Sequence, residues 1–303
     1  MKTVGEARIW LKEKLQNLFS AEELPEIQLL ILQTITGLSQ TQQRIFPEKE
    51  LSEAQILMLL LSVKKLETGM PVQYALGEAD FFGLKFKVDS SVLIPRPETE
   101  ELVAWVLKEK KDRSEGRGKM LEGNNLKAEN SKLNTILDIG TGSGCIPISI
   151  KKNWPSAQVS GLDISAEALQ IAQENALQNQ VEVVFFQQDI LNFYPVKEAL
   201  PYSVIVSNPP YIVPSEQKLM HTNVLDFEPH LALFVPENDP LLFYRAVADF
   251  AFLMLEKNGS LFLEINPNFH QKITQLLHEK GFINITSKPD FSGKMRMVKA
   301  SKP

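Results

Sequence analysis

The spacing of apolar residues changes several times along the chain, and each change predicts an element boundary. Ala7, Leu11, Leu15 and Leu18 recur at helical spacing and predict one apolar helix face. Ser20 and Glu23 stand at capping-box spacing, and Leu29, Leu30, Leu32 and Ile35 continue a second helix that stops near Gly37. Ser52 and Gln55 repeat that signature before a helix over residues 56–66, which Gly69 and Pro71 terminate. Between 77 and 95 the period shortens: Phe81, Leu84, Phe86 and Val88, punctuated by Gly83 and Asp89, predict two short strands in a hairpin. An amphipathic helix follows over 98–111, carrying Leu102, Val103, Val106 and Leu107.

Residues 112–133 are poor in large apolar side chains and rich in Gly, Asn, Lys and Glu, so a solvated, flexible insertion is expected there. The remainder alternates. Strands are predicted at 135–139, 158–162, 181–186, 202–206 and 260–265, and helices at 146–154, 166–178, 239–256 and 271–279. A closing pair of strands, 282–287 and 295–300, is joined through Gly293 and predicts an antiparallel edge. The expectation is an α/β fold: a doubly wound, mostly parallel Rossmann-like sheet with helices on both faces. It divides into a small N-terminal helical domain (1–75) for packing or gripping a partner, a β-hairpin connector (76–97), and the α/β domain (98–303, with the insertion at 112–133).

Charge and cysteine content narrow the possibilities. The 303 residues carry a net charge of -5, which lacks the basic footprint that supplies most non-specific nucleic-acid affinity. The single cysteine, Cys145, can form neither an intramolecular disulfide nor a zinc cluster and points to a reducing compartment. The N-terminal residues show no signal-peptide core, and the longest apolar run, 56–61, is far short of the roughly 20 residues a membrane span needs. A cytoplasmic monomer is expected, with no membrane or direct nucleic-acid partner and no metal site.

Two motifs carry the candidate chemistry. The strand at 135–139 runs into Asp138-Ile139-Gly140-Thr141-Gly142-Ser143-Gly144 with a helix after it. Glycines there let a ligand approach the main chain, and the helix start offers unpaired N–H groups. A dinucleotide loop would put its third glycine at position 145, whereas here it stands at Gly144, which suits S-adenosylmethionine better than a nicotinamide dinucleotide. Asp138 would hold the methionine ammonium, Gly140, Thr141, Gly142, Ser143 and Gly144 the cofactor backbone, and Asp163, ending the next strand, both ribose hydroxyls.

The strand at 202–206 runs into Asn208-Pro209-Pro210-Tyr211, a tetrapeptide expected by chance in such a chain on the order of once in a thousand. Consecutive prolines fix φ and remove two N–H donors, leaving a stiff loop with free carbonyls. The Asn208 side-chain oxygen and the Pro209 carbonyl can together accept both hydrogens of an NH₂ group, while Tyr211 offers a flat face for stacking. The candidate catalytic residues are Asn208, Pro209 and Tyr211, with Pro210 completing the substrate loop.

On these motifs the chain resembles the HemK/PrmC-type protein-(glutamine-N5) methyltransferases that modify peptide-chain release factors. Pro71-Val72-Gln73-Tyr74, Phe81-Phe82-Gly83, Ile94-Pro95-Arg96-Pro97-Glu98-Thr99-Glu100 and Phe227-Glu228-Pro229 extend the resemblance in the family's order. It implies a methyltransferase sheet, S-adenosylmethionine as cofactor, and a release-factor glutamine bound at Asn208 to Tyr211. It also places the cofactor near Asp189 and Ile190, with Asn208 at its methyl end and Arg96 to Thr99 beside its methionine end. Glu228 is expected to anchor a loop. Competing readings are an adenine amino-methyltransferase acting on nucleic acid, a methyltransferase for a ribosomal-protein glutamine, a non-catalytic S-adenosylmethionine-binding scaffold, and a nicotinamide oxidoreductase.

Overall fold

The computed structural model describes residues 1–120, 134–193 and 201–303, with residues 109–120 and Leu219 described by backbone alone. The chain divides into two compact units. The first comprises Met1–Glu78, Val88–Ser90 and Met220–Phe227, and the second Ala79–Lys87, Ser91–Leu219 and Glu228–Pro303.

The first unit is helical: α1 (Val4–Leu15), α2 (Leu24–Thr36), α3 (Gln40–Ile45), α4 (Glu53–Leu66) and α5 (Val72–Leu76). Its core is built from Val4, Ala7, Leu11 and Leu15 of α1 against Ile31, Leu32 and Ile35 of α2 and Leu59, Val63 and Leu66 of α4. Leu18 departs from its expected place in that face: α1 has already ended, Leu18 is exposed, and Val4 supplies the fourth buried position. The Ser52–Gln55 capping box forms as expected at the start of α4. Ser20 and Glu23 also bond reciprocally, but one turn ahead of α2, whose first turn carries Pro25. The helices α3 and α5, of six and five residues, are too short to leave a periodic trace in the sequence.

The second unit takes in, from Ala79 onward, a hairpin of β1 (Glu78–Phe81) and β2 (Leu84–Lys87), turned through Phe82 and Gly83, both at positive φ. The next helix, α6 (Pro97–Met120), runs nine residues beyond the expected end at 111. Lys, Glu and Arg have good helix propensity without needing an apolar partner, so the helix outlasts its hydrophobic pattern. The rest of the anticipated insertion, 121–133, lies outside the described residues. Then follow β3 (Thr135–Ile139), α7 (Cys145–Asn153), β4 (Gln158–Asp163), α8 (Ala166–Gln178), β5 (Val184–Gln187) and β6 (Tyr202–Ser207). Two short helices, α9 (Thr222–Phe227, part of the first unit) and α10 (His230–Leu233), precede α11 (Leu242–Met254), β7 (Leu255–Glu264), α12 (His270–Glu279), β8 (Ile283–Pro289) and β9 (Met295–Ser301). Strand β5 starts three residues later than its apolar pattern suggested, because the Val181 N–H is used by the Ala176 carbonyl to close α8.

Among the described residues the main sheet has seven strands in the order β5-β4-β3-β6-β7-β9-β8. Strands β5 to β7 are mutually parallel, and β9 is antiparallel to both β7 and β8, as the closing strand pair predicted. Successive strand residues serve opposite faces: Ile136, Val204, Val206 and Phe262 pack with α6 and α7, while Leu137, Ile205, Leu261 and Leu263 pack with α11 and α12. Burial on both faces is the reason these strands read as continuous apolar runs. The order reverses between β3 and β6, the chain having first stepped outward to β4 and β5. A crevice beyond the carboxyl ends of strands at such a reversal is where open α/β sheets bind ligands.

Candidate active site

The loop leaving β3 crosses that crevice. The N–H groups of Gly140 and Thr141 both donate to the Leu162 carbonyl at 2.9 Å, which ties the loop to the end of β4. Gly142 sits at φ 52° with no atom of the described residues within 4 Å of where a Cβ would stand, so its backbone is open to a ligand. Gly144 serves packing instead. A Cβ there would come within 3.1 Å of Ala172 on α8, so the glycine lets α7 and α8 close together. Gly161 on β4 is a glycine for a similar reason, since a Cβ would lie 2.8 Å from the Thr141 hydroxyl.

Asp163 fastens the same loop. Its Oδ2 accepts from Gly142 N–H at 2.8 Å and its Oδ1 from Ser165 N–H at 3.0 Å. Burial raises its pKa, and these backbone donors oppose the rise. Each oxygen retains a lone pair for a hydroxyl donor. Below lies Asp138, fully buried, with neither oxygen in a hydrogen bond among the described residues. Desolvation pushes its pKa from the ordinary 3.8 up to about 7; the Thr141 hydroxyl tempers this without meeting hydrogen-bond geometry, and the Asp163 charge adds to it.

The cavity beside this loop has a volume of about 390 Å³. Gly140, Gly142 and Asp163 line one side, Asp189, Ile190 and Leu191 a second, and Asn208, Pro209 and Pro210 a third. Asp189 caps its own turn, accepting from Leu191 N–H at 2.9 Å and from Asn192 Nδ2 at 2.6 Å. The Asn208 amide nitrogen donates to Thr99 Oγ1 at 3.2 Å, and the Thr99 hydroxyl donates to Glu264 Oε2 at 2.6 Å. Glu264 ends β7 and is fully buried, which raises its pKa; the Thr99 hydrogen bond, the Arg296 charge and the Tyr211 hydrogen bond hold the rise back. Beyond Tyr211 the chain is pinned: Ile212 N–H donates to Leu233 O, Val235 N–H to Ile212 O, and Asn266 Nδ2 to Tyr211 O.

Family models place this geometry. The "PrmC N-terminal domain" matches residues 6–77 and the "Methyltransferase small domain" residues 119–227. A release factor glutamine methyltransferase from Flavobacterium psychrophilum is 41% identical over 95% of this chain and 95% of its own. The chain belongs to the release factor glutamine methyltransferase family. A relative of the same name from Bacteroides thetaiotaomicron is 36% identical over 97% of this chain and 98% of its own. The solved protein-(glutamine-N5) methyltransferase (release factor-specific) from Alicyclobacillus acidocaldarius is 26% identical, covering 72% of this chain and 99% of that one, at a TM-score of 0.38. A methyltransferase domain of this family implies S-adenosylmethionine as methyl donor.

The structure brings some of the expected residues of this methyltransferase to the cavity wall and puts others behind it. Gly140, Gly142, Asp163, Asp189, Ile190, Asn208, Pro209 and Pro210 line the cavity; Asp138, Thr141, Ser143 and Gly144 do not. Thr141 and Ser143 are buried beneath the loop, so any part they have is in shaping it. Tyr211, expected to offer its ring face to the substrate, instead packs its ring against the core beneath the sheet end and donates its hydroxyl to Glu264 Oε1 at 3.2 Å. The physical cause is the buried carboxylate, which needs donors more than the open cavity needs another apolar wall. Thr99 likewise does not line the cavity, and its hydroxyl donates to Glu264. Glu228 is an anchor as anticipated: its Oε1 takes Arg96 Nη2 at 2.6 Å, and its Oε2 takes Ile94 N–H at 3.4 Å.

Glu264 went unnoticed in the sequence. It stands at the end of an apolar strand, where a lone acid reads as a solvated terminus, and only tertiary packing brings it to its partner Thr99, 165 residues away. Its signal was present but weak: a carboxylate at the carboxyl end of a parallel strand, one residue past the partner of Ser207 on the motif strand.

Proposed function

We propose that this chain transfers a methyl group from S-adenosylmethionine to the side-chain amide nitrogen of a glutamine in a peptide-chain release factor. The observation that carries the reading is the Asn208 carboxamide: its nitrogen is held by Thr99 at the cavity wall, leaving its oxygen without a hydrogen bond among the described residues. The Pro209 carbonyl beside it is also unspent among the described residues.

The cofactor fits the chemistry of the wall. Behind the wall, Asp138 is a buried carboxylate with no hydrogen bond among the described residues, suited to a methionine ammonium reaching it past the open backbone of Gly140 and Gly142. Asp163 has lone pairs for two ribose hydroxyls, and Asp189, Ile190 and Leu191 offer the wall for an adenine. When bound, S-adenosylmethionine supplies an electrophilic methyl group on a sulfonium.

An amide nitrogen is a weak nucleophile because its lone pair is delocalised into the carbonyl. The residues of this site compensate by orientation. Asn208 Oδ1 and Pro209 O each accept one N–H of the substrate, which directs the nitrogen's π face to the incoming carbon. The two prolines stiffen the backbone that carries the Pro209 carbonyl, and Thr99 holds the Asn208 carboxamide from behind, so both oxygens are in place without an ordering cost at the moment of reaction. The N–C bond would form as the carbon–sulfur bond breaks with its electron pair left on sulfur, and the nitrogen, made acidic by its new bond, would then give one N–H proton to water. Recognition of the whole release factor falls to the helical unit, where α4 leaves Leu57, Met58, Leu60 and Leu61 exposed for a protein partner to cover.

Mass spectrometry of a release factor incubated with the protein and S-adenosylmethionine tests this reading. One added methyl group on a glutamine side chain is expected, and none on DNA adenine in a parallel incubation. An unmodified release factor, or a methylated adenine, overturns it.

A further inference from the structure

An asparagine can turn either end of its carboxamide toward a ligand, and the two ends recognise opposite partners. A glutamine NH₂ needs an oxygen facing it. In this protein the choice is settled outside the cavity, by a chain of hydrogen bonds that reaches Asn208 from behind.

Glu264 is the origin of that chain. Two hydroxyl donors and the Arg296 charge favour its ionised form against the burial, and as a carboxylate it can only accept. It takes the Tyr211 hydroxyl on Oε1 at 3.2 Å and the Thr99 hydroxyl on Oε2 at 2.6 Å. A hydroxyl has one proton, so Thr99, having given its own to Glu264, meets Asn208 with lone pairs alone. The group it can receive is the amide NH₂, which lies 3.2 Å away. Asn208 Oδ1 is thereby left for the cavity. Thr99 is 3% and Glu264 1% exposed, so both side chains are shielded from bulk water and the bond between them is strengthened by its surroundings.

We propose that Thr99 and Glu264 are positioning residues that lock the Asn208 carboxamide with its oxygen facing the substrate, and so make the site select a glutamine side chain against a glutamate. The inference rests on the glutamine-methylating reading above. A glutamate carboxylate in the same place would set acceptor against acceptor at Asn208 Oδ1 and at Pro209 O, with no proton between them. Sites built to hydrogen-bond an N–H reject analogues lacking it far more strongly than apolar pockets reject a methylene.

The test compares Thr99→Val, which keeps the shape and removes the hydroxyl, with Thr99→Ser, which keeps the hydroxyl. Two sets of measurements are made on the full chain. The first is solvent exchange of the Asn208 side-chain amide protons by NMR, the resonances being assigned by their loss in Asn208→Asp. The second is kcat/KM on a whole release factor, together with cofactor affinity by calorimetry. Thr99→Val is expected to speed amide exchange about tenfold or more and to lower kcat/KM about 10- to 100-fold, with cofactor affinity within about twofold. Thr99→Ser restores most of both. Thr99→Ala serves as the second variant if the valine protein does not fold. A folded valine or alanine variant with parental exchange, or with parental kcat/KM, overturns the proposal. If the parent itself methylates no release factor, the functional reading falls, and the exchange measurement alone decides whether the lock exists.

Discussion

Replacement of Asp138 by asparagine probes a carboxylate buried on β3 beneath the glycine loop. The carboxylate is fully buried and without a partner among the described residues, and burial moves its pKa from 3.8 to about 7. At about 1.4 kcal/mol for each tenfold change in ionisation constant, that displacement amounts to about 4 kcal/mol. The sign follows from proton counting. Between pH 4 and 7 the folded chain keeps a proton that the unfolded chain has released, so rising pH draws the equilibrium toward the unfolded state. The penalty is absent below the unfolded value near 3.8, grows through the window, and is complete above about 7. The asparagine of the variant has no such proton to lose. Urea unfolding of parent and variant across pH 4 to 8 should therefore show the variant gaining on the parent, by up to about 4 kcal/mol at the upper end. The buried amide adds a constant offset, so the slope of the difference is what matters. With S-adenosylmethionine present the order should invert, because the ionised parent can pair with an ammonium and the variant cannot; affinity should rise with pH through 7 in the parent alone. Parallel stability curves over this range would show that Asp138 is not desolvated as described, and equal, pH-independent affinities would remove it from the cofactor's ammonium.

Other perturbations separate the roles around the cavity. Asn208→Ala should cost about 1–3 kcal/mol of substrate positioning, read as a 10- to 100-fold loss in kcat/KM on a release factor with cofactor affinity by calorimetry preserved. A parental rate would refute the assignment. Asp163→Ala should weaken cofactor binding at least about tenfold and also loosen the loop it holds through Gly142 and Ser165; unchanged affinity takes it out of the site. Arg96→Met leaves Glu228, whose side chain is 1% exposed, as an unpaired buried charge. Because the arginine itself is one-third exposed, a loss of about 2 kcal/mol in urea unfolding is expected, below the full value for an enclosed pair. No measurable change would mean the pair is solvated in solution.

Local rules legible along the chain were enough for much of this protein. Period-2 and period-3.6 patterns, with glycine and proline as punctuation, placed the parallel strands, the long helices and the antiparallel end, because a strand buried on both faces and a helix buried on one leave different spacings. The motif loops were legible for a related reason: a backbone that must adopt positive φ at Gly142, or carry stiff free carbonyls at Pro209, restricts the residue types that can stand there. A helix that outlasts its apolar face, or spans fewer than two turns, leaves no period to mark it. Helix α6 continued past its apolar face to Met120, and α3 and α5 had no room to show a period.

What tertiary structure alone decided is which way the polar side chains turn. Nothing in Asn208-Pro209-Pro210-Tyr211 announces that Tyr211 donates inward to Glu264, or that Thr99, 109 residues away, holds the Asn208 amide. Glycine loops and proline loops are properties of a few consecutive residues and can be read from them. A hydrogen-bond chain joining α6, β7 and the loop after β6 exists only once the sheet has brought their ends together, and its direction is set by the one member that can only accept.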